Sequence, residues 1–413
     1  MRYFITFACY GAHPNPPPTP NIDGLAERGI LFRHAYADPW CSPTRATIMT
    51  GRFGFRVGLG APIRPDFPEW ALQYSEVTLP ELLHSGAHGS IATSAIGKWH
   101  LGSLSYGGDL NPNQQGWDDF RGTLGNLVNI PNGYSHYQKT VNGTTEFSNT
   151  YATTEQADDA LARIQVMQEP WLCYLAFNSA HRPIHAPPAN LHSYTLSGVP
   201  LDTPIAHFNA AVQAMDTEIG RLLSSIDPAL LARTTIIFIG DNGTEPFGVE
   251  EPADAQKSKG TVYEGGVHVP LIIAGKHVEQ PGSECNAFVN SADLFPTVAD
   301  LFGVDVASTM PDSRPIDGIS LMPLLGDSSK PSLRPWVYAD AFTNGPGPYD
   351  RIARMIRDER WKLIEITAKP DQFFDMLGLD VEGQDLLLDP PLTQQQQTAY
   401  SSLKKSMRQL VEN

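Results

Sequence analysis

The strongest constraint on the fold is an alternation, between residue 19 and about residue 330, of short apolar runs with amphipathic helical segments. Short apolar runs suit buried strands, whereas apolar residues that recur every three or four positions suit helices packed on a sheet. The alternation is typical of α/β proteins, and we predict a large mixed, mostly parallel sheet flanked by helices on both faces. The predicted strands are ILFRHAYA (30–37), SIATSAIG (90–97), WLCYLAF (171–177), TTIIFIG (234–240) and VPLIIAG (269–275).

Near residue 330 the sequence pattern changes. The segments RPWVYADAF, RIARMIRDERWKLIEI and QFFDML are typical of strands in a smaller antiparallel sheet, and the chain closes with the polar helical segment LTQQQQTAYSSLKKSMRQLVEN. We predict two units, an α/β domain over residues 1–330 that carries the function and a smaller α+β subdomain over residues 331–413.

The formal net charge of −16 limits the partners that the protein can take. An acidic chain without a basic stripe is a poor ligand for nucleic acid, so we exclude nucleic acid as a partner. An anionic substrate then needs a pocket that is locally positive. No apolar run approaches the ~20 residues that span a bilayer, so we expect no membrane-spanning segment. The cysteines show neither zinc-site spacing nor a disulfide framework, and the compartment stays open: Cys9, Cys41, Cys173 and Cys285.

Chemically active residues follow three of the predicted strands. In an open α/β sheet, functional groups gather beyond the carboxyl ends of the strands. One such residue alone is usually structural, since Asn-Gly marks turns and a single histidine is most often a hydrogen-bonded core residue. Three strand ends that all carry such groups favour a functional site. The residues are Lys98, Trp99 and His100 after the second strand, Asn178 and His181 after the third, and Asp241 and Asn242 after the fourth.

The segment CSPTRATIMTG (41–51) predicts a helix with Pro43 in its first turn and Gly51 as its stop. Cys41 then lies at the positive end of the helix dipole, where free backbone N–H groups favour an anion. Arg45, one turn along, supplies a fixed positive charge. Helix N-termini also activate ordinary thiols, so a reactive cysteine, a buried small side chain and a residue converted before use all remain open.

Several of these segments resemble signatures of the formylglycine-dependent sulfatases, a family of the alkaline phosphatase superfamily. CSPTRATIMTGR (41–52) is similar to the first signature, Cys-x-Pro-x-Arg followed by an apolar stretch and Thr-Gly-Arg. SIATSAIGKWHLG (90–102) resembles the second, which ends Gly-Lys-Trp-His. Four shorter segments match in the family's order, so that the resemblance runs from about residue 9 to 385: TPNIDGLAERG, IIFIGDNGTE, KGTVYEGGVHVP and FFDML.

The resemblance implies a specific chemistry for Cys41. In the family a separate formylglycine-generating enzyme oxidises this cysteine to Cα-formylglycine, and the hydrated aldehyde is the nucleophile. One hydroxyl attacks the sulfur and expels the alcohol, and the other then loses its proton so that sulfate is released. The implied function is hydrolysis of an organic sulfate ester, either a sulfated carbohydrate or an aryl sulfate, with the generating enzyme as a partner in maturation.

By the same resemblance, three residues act around residue 41. Arg45 matches the arginine that holds the diol and the charge beside the metal. Lys98 matches the lysine that binds a sulfate oxygen and the diol. His100 matches the histidine that assists deprotonation of the diol.

The resemblance also implies residues for the leaving group, the sulfate and a metal. His181, in FNSAHRP, matches the histidine that protonates the leaving alcohol. Lys259 matches the sulfate-binding lysine, and we prefer it to Lys257 on the same loop because it immediately precedes the glycine of KGTVYEGG. Asp241 and Asn242, with residue 41, match ligands of Ca²⁺ or Mg²⁺, hard cations that prefer oxygen.

The N-terminal segment departs from the family pattern. Members begin with an apolar strand that ends in two metal-binding aspartates shortly before Cys-Tyr-Gly, whereas only MRYFITFA precedes CYG (9–11) here. The first aspartate is Asp23, inside the matched helical segment. Either the chain is N-terminally truncated, or the aspartates are lost and RYFITFA takes the place of the strand. We expect truncation, because the other catalytic positions are all present.

Two other functions are compatible with the sequence. A phosphodiesterase or phosphonate monoester hydrolase of the same superfamily uses a similar metal and nucleophile, although Lys98, His100 and Lys259 favour sulfate. A non-catalytic, sulfatase-like protein that binds sulfated glycans would explain the missing aspartates. Aromatic residues in the loops 103–137 and 244–258 suit a sugar and an ordinary loop core equally: Tyr106, Trp117, Tyr134 and His136.

Overall fold

A computed structural model describes residues 6–11, 13, 15–86, 90–127, 133–251, 253–311 and 314–412. Its strands are β1 Gly29–Tyr36, β2 Ala92–Lys98, β3 Asp119–Thr123, β4 Tyr137–Val141, β5 Thr144–Ser148, β6 Trp171–Ala176, β7 Thr235–Ile239, β8 His268–Gly275, β9 Ser283–Asn290, β10 Val337–Phe342, β11 Ile352–Arg357, β12 Trp361–Ile366 and β13 Gln372–Asp375. Its α-helices are α1 Pro20–Glu27, α2 Cys41–Thr50, α3 Gly54–Val57, α4 Leu79–Gly86, α5 Asn111–Gln114, α6 Ala152–Val166, α7 Pro204–Ser225, α8 Pro228–Ala232, α9 Glu264–Val267, α10 Leu294–Leu301, α11 Val306–Thr309, α12 Met322–Gly326 and α13 Gln394–Glu412.

The main body contains two mixed sheets. The first has the strand order β7-β8-β1-β9, in which β1 runs parallel to β9 and antiparallel to β8. The second has the order β5-β4-β3-β2-β6, in which β2 runs parallel to both β3 and β6. The predicted α/β class, with mixed sheets and flanking helices, is confirmed.

The sheets are mixed rather than mostly parallel, because apolar runs indicate strands but not their direction. Among the described strands, β3, β4 and β5 form an antiparallel meander, and β8 is antiparallel to β7. Asn142 and Gly143 take positive φ angles of 46° and 85°, which close a tight two-residue hairpin between β4 and β5. Between β7 and β8 the chain makes only short helical turns, so no long helix imposes a parallel crossover.

Helices cover both faces of the first sheet. On one face, Phe32 of β1 belongs to a core cluster that includes Phe295 of α10. On the other face, Leu31 packs in a cluster with Ile22 of α1 and Phe208 of α7. Successive strand residues point to opposite faces, so a strand buried on both sides is apolar without interruption. The apolar residues 30–32 of β1 have this origin, whereas Arg33 and His34 are only half-buried.

The strands β6 and β7 lie at edges of the two sheets, and each pairs with one neighbour among the described strands. Tyr174 of β6 and Ile237 and Ile239 of β7 pack against the same core cluster, although all are only half-buried. The strand suggested for RYFITFA lies largely in residues 1–5, outside the described residues, and Ala8–Tyr10 forms one turn of 3₁₀ helix.

The C-terminal strands form the predicted small antiparallel sheet, in the order β10-β11-β12-β13. The terminal helix α13 packs on this sheet through the buried side chains of Leu403 and Met407. The boundary at residues 330 and 331 stays a prediction. Of the helices in the described part of the chain, none has the length and apolar character to cross a membrane.

Buried ion pairs join this sheet to the main body. Glu264 of α9 accepts from Arg357 Nη1 at 2.6 Å and from Lys362 Nζ at 2.9 Å, and Lys362 Nζ also lies 2.6 Å from Glu382. The Lys362 side chain is 0% exposed. Burial alone would raise the pKa of the Glu264 carboxyl, but Arg357 and Lys362 outweigh it and lower that pKa. All of these charges are compensated, which a buried charge requires.

Replacement of Lys362 by alanine is therefore expected to lower the free energy of unfolding by about 3–5 kcal/mol, because Glu264 and Glu382 lose their shared cation. Urea unfolding followed by circular dichroism measures this change. Lys405→Ala, at an exposed position of α13, is the control and should change stability by less than about 0.5 kcal/mol. Equal effects of the two replacements would contradict a stabilising role for the pairs.

Candidate active site

The helix α2 begins at Cys41 and passes through the core, with all ten of its residues buried. Trp40, in extended conformation, precedes it, and Pro43 occupies its first turn, where a missing N–H costs nothing. Gly51 ends the helix with φ 68°, and its N–H donates to the carbonyl oxygen of Thr47 at 2.9 Å. The predicted helix, start and stop are confirmed, and the Cys41 side chain lies at the N-terminal end.

Cys41 is paired with His100, which follows β2. The Cys41 Sγ atom lies 3.2 Å from His100 Nδ1, and His100 Nε2 lies 2.6 Å from the carbonyl oxygen of Ile63. A carbonyl oxygen only accepts, so Nε2 carries the hydrogen and Nδ1 accepts from the thiol. Burial, then the charges of Lys98 and Arg45, lower the pKa of His100, which favours this neutral form.

Arg45 connects α2 to the ends of two strands. Its Nη2 atom donates to Asp241 Oδ2 at 2.8 Å beyond β7, and its Nη1 atom donates to the carbonyl oxygen of Lys98 at the end of β2. Burial by itself would raise the pKa of Asp241, but Arg45, Lys98 and Lys259 outweigh it and lower that pKa. Asp241 is therefore an anion surrounded by cations.

Two buried carboxyl groups lie next to each other behind α2, and one of them holds the helix. Asp38, 3% exposed, accepts from the Thr47 hydroxyl of α2 at 2.9 Å and faces the backbone N–H of Asp340 at 3.4 Å. Asp340, 0% exposed, accepts from the Tyr338 hydroxyl at 3.0 Å. Burial raises the pKa of Asp38 to about 7, and burial together with the neighbouring Asp38 raises the pKa of Asp340.

The contribution of this pair to stability is consequently expected to fall as the pH rises from about 4 to above 7. Over that range the folded protein retains protons that an unfolded aspartate, with a pKa of about 3.9, has released. Asp38→Asn should reduce the dependence of the free energy of unfolding on pH by up to about 1.4 kcal/mol per pH unit over this range. Urea unfolding at a series of pH values measures the slope, with the exposed Asp350→Asn as control. An unchanged slope in Asp38→Asn would show that the pair does not bind these protons.

A second group of side chains follows β6 and β7. His181 Nε2 lies 3.1 Å from Glu245 Oε1, and Lys259 Nζ lies 2.6 Å from the same oxygen. Glu245 Oε2 lies 3.9 Å from Arg182 Nε. Glu245 was not predicted as a site residue, although it ends the matched segment IIFIGDNGTE. The available signal was a carboxylate three residues beyond Asn242, in the loop that follows a strand end.

The described residues supply part of a cation site. Asn242 Oδ1 is buried without a hydrogen-bond partner, while its Nδ2 donates to Gly243 O at 2.9 Å. Asp241 adds a carboxylate, but Ca²⁺ takes ~6–8 oxygens. Within the described ranges, no group of three or more His, Cys, Asp or Glu side chains could hold a metal. The predicted ligands Asp241, Asn242 and residue 41 therefore do not make a complete site, and we assign no step to a metal.

Other residues selected in the sequence take structural positions. Asn178 is buried and hydrogen-bonds with the Thr123 hydroxyl of β3 at 3.2 Å. Lys257 lies over the ring of Tyr263, 4.9 Å from its centroid, and is not part of the group at His181. Of the aromatic side chains considered for a sugar, Trp117 and Tyr134 are buried, which favours an ordinary loop core for these two.

Together, these groups can bind an anion beside Cys41. Arg45, Lys98 and Lys259 are cations with at most 9% exposure, and their charge is only partly balanced by Asp241 and Glu245. Fixed positive groups that are shielded from water attract an anion more strongly than exposed ones. The site thus supplies the local positive charge that the acidic chain as a whole lacks.

The family model described as Sulfatase matches residues 5–304. The chain belongs to the sulfatase family. A second family model, described as N-sulphoglucosamine sulphohydrolase, C-terminal, matches residues 257–413. The predicted family is confirmed, and the two matches together reach from the N-terminal segment through the small C-terminal sheet.

Curated sulfatases align with most of this chain. Arylsulfatase A of Homo sapiens is 32% identical in an alignment of 359 positions that covers 79% of this chain and 66% of that protein. Arylsulfatase J of Mus musculus is 26% identical over 71% of this chain and 50% of that protein. N-acetylgalactosamine-6-sulfatase of Sus scrofa is 28% identical over 74% of this chain and 61% of that protein. The chain thus spans between half and about two thirds of the length of these relatives.

Solved structures share the fold. The crystal structure of Ps i-CgsB in complex with k-i-k-neocarrahexaose has a TM-score of 0.78 at 23% identity, covering 95% of this chain and 87% of that one. The structure of BT4656 in complex with its substrate D-glucosamine-2-N,6-O-disulfate has a TM-score of 0.74 at 20% identity, covering 99% and 98%. At these identities the likeness concerns the fold.

Proposed function

We propose that this chain hydrolyses an organic sulfate ester, either a sulfated carbohydrate or an aryl sulfate, with residue 41 as the source of the nucleophile. The observation that carries the proposal is the convergence of Arg45, Lys98 and Lys259 around the N-terminal end of α2, where Cys41 lies. The names of the relatives, arylsulfatases and an N-acetylgalactosamine-6-sulfatase, support a sulfate ester as substrate.

The cations bind the sulfate group and counter its charge. Lys98 and Lys259 donate to sulfate oxygens and hold the group in place while the ester bond breaks and its electron pair passes to the leaving oxygen. Arg45 keeps its orientation because Asp241 and the Lys98 carbonyl oxygen hold its guanidinium group. Conversion of Cys41 by a formylglycine-generating enzyme would supply an aldehyde hydrate as the attacking group.

Two histidines move protons in this proposal. The Nδ1 atom of His100 faces residue 41, and the Ile63 carbonyl oxygen fixes the hydrogen on Nε2, so Nδ1 is free to take a proton from residue 41. His181, on the side of Lys259, gives a proton to the leaving alcohol. The two roles lie on separate elements, which allows one residue to accept while the other donates.

The incomplete cation site favours a second candidate, a non-catalytic protein that binds sulfated glycans. The cationic pocket needs no metal to attract a sulfate group, whereas turnover in this family is expected with Ca²⁺ or Mg²⁺. Such a protein would bind a sulfated oligosaccharide and release no sulfate from it, even with Cys41 converted.

The test compares p-nitrophenyl sulfate with a phosphate diester, bis(p-nitrophenyl) phosphate, after co-expression with a formylglycine-generating enzyme and with and without Ca²⁺. We expect the sulfate ester to be the faster substrate. Faster release from the phosphate ester would instead indicate a phosphodiesterase or phosphonate monoester hydrolase. Binding of a sulfated oligosaccharide without turnover of either ester would favour the second candidate.

A further inference from the structure

The Glu245 side chain is held at the centre of the second group of site residues. Its carboxylate is 13% exposed and faces Lys259, His181 and Arg182. The loop before it is fixed to the Lys259 loop, because the Lys259 N–H donates to the Thr244 carbonyl oxygen at 3.1 Å. Glu245 is therefore a built part of the site, although neither the motifs nor the proposed mechanism assigns it a function.

The surroundings of His181 select one protonation form. His181 Nδ1 lies 3.1 Å from the carbonyl oxygen of Arg182, and Nε2 lies 3.1 Å from the Glu245 carboxylate. The Arg182 carbonyl oxygen accepts a hydrogen bond from Nδ1–H, and the Glu245 carboxylate, which also only accepts, lies close enough to Nε2 to attract a second hydrogen there. A neutral imidazole has one N–H and would direct a lone pair at one of the two oxygens. The geometry favours the imidazolium, the form that can donate a proton.

Most of the other groups near His181 oppose that charge. Burial, then Lys259 and Lys98, lower the pKa of His181, while the Arg182 carbonyl oxygen and Asp241 act to raise it. The charge of Glu245 acts in the opposite direction, because an anion within hydrogen-bond distance stabilises an imidazolium. The backbone of His181 is also fixed, since the Tyr134 hydroxyl donates to its carbonyl oxygen at 3.0 Å.

We propose that Glu245 is a positioning residue that keeps His181 protonated and oriented as the donor to the leaving alcohol. This inference rests on the proposed function. The bound sulfate group replaces Glu245 as the partner of Lys259. The ester oxygen then lies next to Glu245 Oε1 and faces His181 Nε2. As the S–O bond breaks, its electron pair passes to the leaving oxygen, which takes the Nε2 proton. His181 is left neutral and regains a proton from water.

The test is a histidine titration of the purified full chain by NMR, with ¹³C-labelled histidine and a His181→Ala spectrum to assign the signal. Glu245→Gln should lower the pKa of His181 by about one to three units. Glu250→Gln is the matched control on the same loop, since Glu250 approaches His13 and Asn209 but not His181, and should leave that pKa unchanged. An equal His181 pKa in wild type and Glu245→Gln overturns the proposal.

Kinetics separate this role from simple neutralisation of Lys259. In Glu245→Gln, kcat/KM should fall about 10²-fold on an alkyl sulfate, whose alcohol must be protonated, and much less on p-nitrophenyl sulfate. The alkaline limb of the kcat/KM–pH profile of Glu245→Gln should move to lower pH than in the wild type. Glu245→Asp should keep part of the kcat/KM that Glu245→Gln loses. Equal losses on both esters with no shift of the limb would leave only an ion-pair role and overturn the proposal. If the wild type turns over neither ester, the proposed function fails while the titration still decides whether Glu245 holds the imidazolium.

Discussion

Replacement of Cys41 by alanine is expected to lower kcat for p-nitrophenyl sulfate by on the order of 10⁶-fold, the effect of removing the nucleophile from other covalent hydrolases. The physical reason is that residue 41 is the only proposed source of an attacking oxygen, while the surrounding cations still bind the ester. The affinity for inorganic sulfate should therefore change little. Initial rates and calorimetric titration with sulfate measure the two quantities.

Cys285→Ala is the matched control for this prediction. Cys285 is also buried, but it lies on β9 in the central core, where it forms part of an apolar cluster. Its replacement should preserve kcat, even where it lowers stability slightly through a small cavity. A Cys41→Ala protein that kept wild-type kcat would contradict the role of residue 41.

Replacement of Lys259 by alanine has the second largest expected effect, a loss of about 10²–10³ in kcat/KM for p-nitrophenyl sulfate. Lys259 is 9% exposed, and its ammonium group lies 2.6 Å from Glu245. Its removal takes a donor from the sulfate and leaves the Glu245 carboxylate without that cation, so the pocket repels the substrate. Sulfate binding should weaken in parallel, which distinguishes this variant from Cys41→Ala.

Lys257→Ala controls for the loss of a positive charge from the same loop. The Lys257 ammonium group lies over the Tyr263 ring rather than beside Glu245. We expect its replacement to change kcat/KM by less than about threefold, as for a surface substitution. Equal losses in the two variants would show that general loop charge, not the Lys259 contact, controls the rate.

The sequence predicted the parts of the fold that depend on local pattern. The run TTIIFIG (234–240) contains β7, and CSPTRATIMTG (41–51) contains α2, because apolar runs and helix-ending glycines act over a few residues. The strand β9 was missed, since its sequence SECNAFVN mixes polar with apolar residues at its exposed end. Sheet order and strand direction were beyond sequence reasoning, because they depend on pairings between distant segments.

The site was predictable where motifs carry it, and less so where it depends on contacts between loops. Matching to the family motifs selected His181 and Lys259 separately, and the structure places both at one carboxylate oxygen of Glu245. That carboxylate ends the matched segment IIFIGDNGTE, but only the fold shows that it lies between His181 and Lys259. The carboxyl pair Asp38 and Asp340 was missed for the same reason, as its members are 302 residues apart.

The most direct test of the account is the rate of p-nitrophenyl sulfate hydrolysis as a function of the fraction of Cys41 converted to formylglycine. Preparations with different conversion are made by varying the co-expression of the generating enzyme, and peptide mass spectrometry gives the converted fraction. We predict a rate that is proportional to this fraction and vanishes where Cys41 is unconverted. A rate that does not depend on conversion, or no turnover at full conversion, would contradict it.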